Sequence, residues 1–366
     1  MCVFCRYIPR EVRLSMTFLY VLLGIFMFGV IILIHELGHF LSAKAFGVGI
    51  EEFSVGMGPK LVSHVGKDGV RYSLRAIPMG GFVSMVGEDE DSDDERALCR
   101  KPVWQRMIIV AAGAIMNILL GFVLMGVQIA MTPHLYSTTI EGFRVVDEAG
   151  DLIDTDEALG LRIGDTIEKI GSRKIHVRSD FIYEVMFLKD EPVDITVRRG
   201  GERVVIPDVV FQTYTQSGVT FGKAGFIITT ELNKTFPELV KQSVCQSLSA
   251  IRMLWVSILN TFKGEYGTEA LSGPVGVIDQ VQQTVALGWD AFLFLAVMIT
   301  LNVGMVNLMP LPALDGGRLF FMVIELIRGK PVPPKYEGYV HAAGLVLLMG
   351  LMVFVTYNDI VRIFFR

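Results

Sequence analysis

The chain has 366 residues, of which 52% are hydrophobic, and its formal net charge is −5. A soluble chain of this length usually forms two domains with a lower apolar fraction. The excess is concentrated in a few blocks and predicts a polytopic α-helical membrane protein, while a charge balance this mild excludes nucleic acid as an expected partner.

Residues 1–16 form an N-terminal extension before the first apolar block. Cys2 and Cys5 make a C-x-x-C pair with no second pair nearby, so we expect no metal there. The basic residues resemble the start of a signal peptide, but no small-residue cleavage site follows them. We therefore expect a retained transmembrane helix, and Met1 and Met16 are both candidate starts of translation.

Four segments are apolar enough to cross about 30 Å of hydrocarbon, which takes about 20 helical residues. The predicted spans are residues 17–40, 107–131, 291–317 and 338–357. We predict helices because backbone exposed to lipid must satisfy its own hydrogen bonds. Pro310 and Pro312 cannot continue a regular helix, so an unwound stretch is expected in the third span just before Asp315.

The segment between the first two spans, residues 41–106, is more than a simple connector. Its sequence reads as short strands around Lys67-Asp68-Gly69, and an Asp-Gly pair is a strong signal for a β-hairpin. The acidic block "EDEDSDDE", residues 88–95, is predicted to be a solvated linker.

Strand-like pieces separated by glycine and charged turns fill residues 140–212. Within them, "ALGLRIGDTIEKIGSRKI" resembles the PDZ domains of bacterial proteases, whose pattern is A-G-L-x-x-G-D-x-I-x-x-I-x-G. The resemblance implies one β-rich PDZ domain that binds extended segments or C-termini of peptides by strand addition. Leu159 is an extra residue relative to that pattern, so we assign no groove residues.

A linker, residues 213–290, leads to the third span and contains an amphipathic segment at 236–262. Its apolar residues recur at spacings of three, four and seven, which predicts a helix with one apolar face. Lys241 and Arg252 interrupt it as a span. We therefore expect an interfacial helix that lies along the membrane surface.

The first span ends in "HELGHF", which has the H-E-x-x-H spacing. On a helix His35 and His39 lie one turn apart on the same face, where both imidazoles can reach one metal ion. Glu36 lies beside them and can accept a proton from a metal-bound water. Three titratable groups in an apolar helix would each need a partner, which favours a functional site over a pair of core histidines.

A catalytic zinc needs three protein ligands and one open position. Asp315 is the acidic residue near the other spans, and it follows a span that runs parallel to the first. It is therefore expected at the same depth as His35 and His39. His341, at the start of the antiparallel fourth span, meets the same condition and remains an alternative ligand, whereas His134 lies at the opposite side.

Six motifs occur in one order along the chain: "HELGHF", "GMGPKL", "RAIPMGGFVSMVGEDE", "AAGAIMN", "SGPVGV" and "NLMPLPALDGGRL". Together they resemble the site-2 protease family of intramembrane zinc metalloproteases, in the bacterial form of the regulator of sigma-E protease type with a single PDZ domain. The resemblance covers almost the whole chain from Met16. Ala114 stands where many members have proline.

The resemblance implies that His35, His39 and Asp315 bind Zn2+ and that Glu36 is the catalytic acid and base. It also implies that Asn307 helps to hold the substrate, although a hydrogen bond between helices explains an asparagine there equally well. The hairpin at 60–84 would be a membrane-associated sheet on the cytosolic side whose edge clamps the substrate.

The resemblance further implies a multi-pass protein of the bacterial cytoplasmic membrane, with the active site near the cytoplasmic face and the PDZ domain outside. Its substrates would be single-span proteins, such as anti-sigma factors, or remnant signal peptides. Two alternatives are an inactive membrane adaptor that captures peptides through its PDZ domain, and a metal transporter. The complete set of ligands and base disfavours the adaptor, and ionisable groups at a single depth disfavour the transporter.

Overall fold

The computed structural model describes residues 10–88, 92–146, 152–155, 157–216, 219–224, 226–228, 230–265 and 273–364. The chain divides into two compact units, one formed by Met1–Gly121 with Ser272–Arg366 and the other by Phe122–Leu271. The pair Cys2 and Cys5 lies outside the described residues, as does part of the acidic block.

Helices dominate the described part of the chain. Their bounds are α1 Arg10–Ala45, α2 Val103–Met131, α3 Arg178–Leu188, α4 Phe236–Phe262, α5 Pro274–Leu287, α6 Trp289–Leu308, α7 Asp315–Arg328 and α8 Pro334–Phe364. Four of the described segments are long and apolar enough to cross a membrane, as predicted: Leu19–Ala45, Val103–Met131, Trp289–Leu308 and Lys335–Arg362. The prediction of a polytopic helical membrane protein is confirmed at this level.

The strands fall into small sheets. Their bounds are β1 Ile50–Val65, β2 Arg71–Met85, β3 Leu135–Tyr136, β4 Gly142–Val146, β5 Leu152–Thr155, β6 Glu157–Ala158, β7 Leu161–Arg162, β8 Thr166–Ile170, β9 Arg173–Lys174, β10 Val193–Arg199, β11 Glu202–Val209, β12 Gln212–Gln216, β13 Val219–Lys223, β14 Phe226–Ile227 and β15 Glu231–Leu232.

The predicted third span, 291–317, is interrupted where an unwound stretch was expected. Helix α6 ends at Leu308, and a loop of residues 309–314 separates it from α7, which begins at Asp315. Pro310 and Pro312 lack the N–H groups that a continuing helix needs, which explains the break. Asp315 is therefore in the first turn of its own helix, which was not predicted.

In the first unit, strands β1 and β2 are joined by the turn predicted at Lys67-Asp68-Gly69. The sheet is more folded than a simple hairpin, because residues 52–55 have partners on both sides. One set of partners is 81–84 and the other is 71–74. Residues 71–74 also pair with 62–65 on their other side, so the segment 81–85 lies at an outer edge of the sheet. The sheet packs against the end of α1 through a core that includes Phe40, Val83 and Met85.

In the second unit, a sheet in the order β11-β10-β8-β9 packs with α3 around a hydrophobic core. The core contains Phe143, Phe181, Ile195 and Phe211, all at most 2% exposed. These strands include the pieces predicted within 140–212, but their assignment as a PDZ domain remains a prediction.

Helix α4 has the bounds predicted for the amphipathic segment. Its buried positions are polar or small, and Ser249 on that face donates a hydrogen bond to Asp180 of α3. Large apolar side chains recur on the other face and are exposed, from Phe236 to Phe262. Its place at the membrane interface remains a prediction.

Candidate metal centre

Helices α1 and α2 approach each other closely at two glycines. A Cβ atom on Gly38 would lie 2.7 Å from the carbonyl carbon of Ala112. A Cβ atom on Gly113 would lie 2.8 Å from Cε1 of His39 and 2.9 Å from Cε1 of His35. Because real Cβ contacts essentially never fall below 3.0 Å, only glycine lets α2 pass this close to the two imidazoles.

The ring of His39 is held in one orientation by α2. Its Nδ1 atom lies 2.9 Å from the backbone carbonyl oxygen of Ile109. A carbonyl accepts only, so Nδ1 carries the proton and donates it, and Nε2 keeps a free lone pair. A backbone or carboxylate partner of this kind is what usually orients a metal-binding histidine.

The ring of His35 has a side-chain partner on α2, Asn117, which is fully buried. The amide nitrogen of Asn117 lies 3.3 Å from Nδ1 of His35, and its Oδ1 has no hydrogen-bond partner among the described residues. A half-turn of the amide brings Oδ1 to Nδ1, which then donates its proton and leaves the lone pair on Nε2. Asn117 can thus set the tautomer of His35 that a metal requires.

Asp315 completes a triangle with the two histidines. Its Oδ2 atom lies 3.0 Å from Nε2 of His35 and 3.3 Å from Nε2 of His39, and the two Nε2 atoms are 3.3 Å apart. A tetrahedral zinc ion with ligands at its usual distances separates neighbouring ligand atoms by about 3.3 Å. The donor set and its spacing therefore fit zinc. No other group of three potential ligands occurs in the part of the chain that the structure describes.

A cavity of about 460 Å³ opens at this triangle. Its lining comes from α1, α2, β2, the loop before α7, the start of α7 and α8. It includes His35, Glu36, His39, Phe82, Val83, Met85, Asp315, Arg318 and His341. Glu36 follows His35 directly, so it reaches the same space as the triangle. The cavity offers room for a substrate segment between the metal ligands and the sheet.

The outer edge of the sheet faces this cavity. Of the edge residues, Val83 has its backbone N–H directed at the carboxylate of Glu36, and Met85 donates its N–H to the carboxylate of Glu88 at 3.3 Å. Successive residues of a strand point their N–H groups to opposite sides. Val83 and Met85, two residues apart, therefore share the side away from β1.

A network of ion pairs stabilises the sheet next to this edge by connecting its strands. Glu52 is buried and pairs with Lys60 at 2.8 Å and with Arg75 at 2.9 Å. Burial opposes ionisation of Glu52, but the hydrogen bonds from Lys60, Arg75 and Ser73 outweigh it and lower the pKa of Glu52 to about 2. Arg75 also donates to the carbonyl oxygen of Gly58, which links the strands on either side of it.

The other predicted site residues are not members of the triangle. His134 pairs with Glu231 at 2.8 Å in the second unit. His341 lines the cavity, but its Nδ1 accepts a hydrogen bond from the backbone N–H of Ala313. Asn307 is in the last turn of α6 and is not among the described residues that line the cavity.

Sequence reasoning missed Gly113, Asn117 and the carbonyl of Ile109, which hold the two histidines in place. The only signal was the motif "AAGAIMN", whose asparagine and glycine lie four residues apart on one helical face. It also missed the ion pair between Glu88 and Arg318, 2.5 Å long, which joins the end of β2 to α7 beside the cavity.

Apolar helices that bring two imidazoles, an aspartate and a neighbouring glutamate to one cavity define a class of membrane metallopeptidases. The model of Peptidase family M50 matches residues 23–351. The chain belongs to Peptidase family M50, the site-2 protease family, and the predicted resemblance is confirmed at this level.

Bacterial relatives match nearly the whole chain. A Clostridium perfringens protein named a candidate zinc metalloprotease is 34% identical over 347 residues, covering 94% of this chain and 99% of that protein. The regulator of sigma-W protease RasP of Bacillus subtilis is 28% identical over 423 residues, covering 93% and 98%. The zinc metalloprotease RasP of Oceanobacillus iheyensis is 28% identical over 433 residues, with the same coverage.

Proposed function

We propose that the chain is an intramembrane zinc metalloprotease that hydrolyses peptide bonds in or near the transmembrane segments of single-span substrates. The observation that carries this proposal is the triangle of His35, His39 and Asp315 beside Glu36. The two histidines lie within a candidate membrane span, so the chemistry belongs at the depth where such substrates lie.

His35, His39 and Asp315 are the residues that would hold zinc, which supplies a Lewis acid that activates water and polarises a peptide carbonyl. Glu36 accepts the proton of the attacking water as the oxygen adds to the carbonyl carbon. Glu36 then returns that proton to the amine nitrogen as the peptide C–N bond breaks. The two products are a carboxylate and a protonated amine, since the remaining proton of the water passes from the new carboxyl group to the amine.

A helical substrate hides its carbonyls in its own hydrogen bonds, so it must be unwound before it is cut. The edge of the sheet at residues 81–85 is directed to the cavity and can pair with an extended segment once the carboxylates of Glu36 and Glu88 release the N–H groups of Val83 and Met85. Such strand addition replaces the internal hydrogen bonds of the substrate with intermolecular ones. It also presents the substrate backbone to Glu36, because Val83 on this edge faces that carboxylate.

Further parts of the proposal rest on the family resemblance. Asn307 would hold the substrate backbone, and the segment 140–212 would act as an extracytoplasmic PDZ domain that admits peptides with suitable ends. The active site would lie near the cytoplasmic face of the bacterial cytoplasmic membrane. Anti-sigma factors and remnant signal peptides are the expected substrate classes.

The test uses the full-length chain in detergent with a reporter that contains a single transmembrane segment. Glu36→Gln is expected to retain zinc and to lose cleavage, because the amide cannot take up the proton. Glu231→Gln makes the same change at an exposed position in the second unit and is expected to cleave as the wild type does. Undiminished cleavage by Glu36→Gln would refute the mechanism.

A further inference from the structure

The loop of residues 309–314 delivers Asp315 to the metal centre, and its backbone conformation is unusual. Ala313, two residues before Asp315, has a φ angle of +66°, in the left-handed region that L-residues other than glycine rarely adopt. Pro310 and Pro312 contribute no N–H groups. Within the loop, the backbone N–H of Leu314 donates to the carbonyl oxygen of Leu311 at 3.3 Å and closes a turn around Pro312 and Ala313. The N–H of Ala313 is not used by this turn and can be paired by a partner outside the loop.

His341 of α8 is such a partner. Its Nδ1 atom accepts a hydrogen bond of 3.0 Å from the backbone N–H of Ala313. Because Nδ1 must provide a lone pair for this bond, that nitrogen is not available to a metal ion. His341 thus contacts the strained residue of the loop and stands outside the triangle of ligands.

One turn after His341, the same face of α8 lies close against the loop at Gly344. A Cβ atom on Gly344 would lie 3.0 Å from the carbonyl carbon of Pro312 and closer still to its Cβ atom. Residues three apart on a helix share a face, so His341 and Gly344 contact the loop side by side. On the other side of the loop, a Cβ atom on Gly317 would lie 3.1 Å from Cε1 of His341, so the imidazole fits closely against the start of α7.

We propose that His341 is a positioning residue: it fixes the loop in its left-handed conformation and thereby places the carboxylate of Asp315. The inference rests on the proposed function, since it takes Asp315 as a zinc ligand. Metal sites tolerate errors in ligand position of only about 0.2 Å. Without His341 the backbone N–H of Ala313 loses its acceptor, and the loop leaves the left-handed conformation. The carboxylate of Asp315, two residues later, then moves with the loop.

The positioning role of His341 predicts a change in zinc affinity, which can be measured without measuring catalytic turnover. Removing a residue that orients a ligand typically weakens metal binding about 10- to 100-fold. We expect a loss in that range for His341→Leu, which keeps the bulk of the side chain and has no acceptor. We expect His341→Asn to bind zinc within about threefold of the wild type, because its Oδ1 atom occupies the place of Nδ1 along the side chain.

The experiment measures the zinc dissociation constant by competition with a chelator, on the full-length chain in detergent. The absorption spectrum of the cobalt-substituted protein, which reports ligand arrangement, is recorded for the same samples. His341→Gln carries an acceptor one bond further out, at the place of Nε2, and is expected to behave like His341→Leu. A general loss of stability would affect the Asn and Gln variants alike, so a difference between them supports the positioning role.

Ala313→Gly, combined with His341→Leu, provides a second test of the loop conformation. Glycine adopts the left-handed conformation without strain, so the double variant Ala313→Gly with His341→Leu should bind zinc more tightly than His341→Leu alone. If the changes in zinc-binding free energy caused by Ala313→Gly and by His341→Leu simply add in the double variant, the inference is overturned. Unaltered zinc binding by His341→Leu would overturn it too, as would rescue by Gln instead of Asn.

The two proposals fail in different ways. A wild-type chain that binds no zinc would overturn the proposed function and this inference with it. A wild-type chain that binds zinc and cleaves the reporter, together with a His341→Leu variant of equal zinc affinity, would overturn this inference alone.

Discussion

Replacing Gly113 by alanine adds one methyl group at the place where α2 lies against the Nε2 and Cε1 atoms of the histidine rings. The added Cβ would lie 2.8 Å from Cε1 of His39 and 2.9 Å from Cε1 of His35, against at least 3.4 Å for an ordinary contact. The rings must therefore move by about 0.5 Å or more to restore contact distances. That movement exceeds the tolerance of a zinc site, about 0.2 Å in ligand distance.

We expect Gly113→Ala to weaken zinc binding at least about 100-fold, which corresponds to about 2.7 kcal/mol. The change does not act through helix formation, because alanine in a helix is favoured over glycine by about 1 kcal/mol. Loss of zinc from a folded chain is therefore the expected result, and cleavage of the reporter should fall with it.

The assay combines zinc analysis of the purified chain with thermal unfolding in the same detergent. Gly350→Ala is a matched control, since it makes the same change within α8 and its Cβ would meet no heavy atom within 4 Å beyond its chain neighbours and the adjacent backbone of α8. The control is expected to keep full zinc and activity. If Gly113→Ala also kept wild-type zinc affinity, the placement of the histidine rings against α2 would be refuted.

Three further predictions follow from contacts around the site. Gly344→Ala should weaken zinc binding by displacing Pro312 and its loop, whereas Gly350→Ala should not, as zinc analysis of both would show. Asn117→Ala should weaken zinc binding about tenfold, measured by chelator competition, and unchanged affinity would exclude Asn117 as the partner of His35. The pKa of Glu52 is about 2 in the folded chain against an ordinary 4.5, so its ionised form stabilises the fold above pH 4.5, and this contribution is lost as the pH falls towards 2. Thermal unfolding of Glu52→Gln should therefore vary less over this pH range than that of the wild type, and equal pH dependence would contradict the network described.

The parts of the site that are local in sequence were the ones that could be predicted. The spacing of His35 and His39 is a property of one helix, and the depth of Asp315 follows from counting reversals of the chain between apolar blocks. The break before Asp315 was visible in Pro310 and Pro312. Each of these inferences needs only helical geometry and the thickness of a bilayer.

Contacts between distant residues could not be predicted in the same way. Asn117 is 82 residues from His35, and nothing in the sequence states which side chain of α2 meets which ring. The double pairing of residues 52–55 was hidden for a similar reason, since one turn signal predicts one hairpin and does not reveal that the strand folds back again.

His341 lies at the depth expected for it, but its contacts favour a role other than that of an alternative zinc ligand. Its depth made it an alternative zinc ligand, and it does line the cavity. Its Nδ1, however, is occupied by the backbone of Ala313, a contact that depends on the exact path of an irregular loop. The role of Asn307, the PDZ assignment and the orientation in the membrane remain predictions.

The central claim is that His35, His39 and Asp315 hold one zinc ion, with Glu36 as acid and base. Its most direct test is the zinc content per chain of the purified wild type and of the variants Glu36→Gln and Asp315→Ala. We predict one zinc per chain for the wild type and for Glu36→Gln, and loss of zinc for Asp315→Ala. Full zinc occupancy in Asp315→Ala would contradict the account and return His341 to the set of ligands.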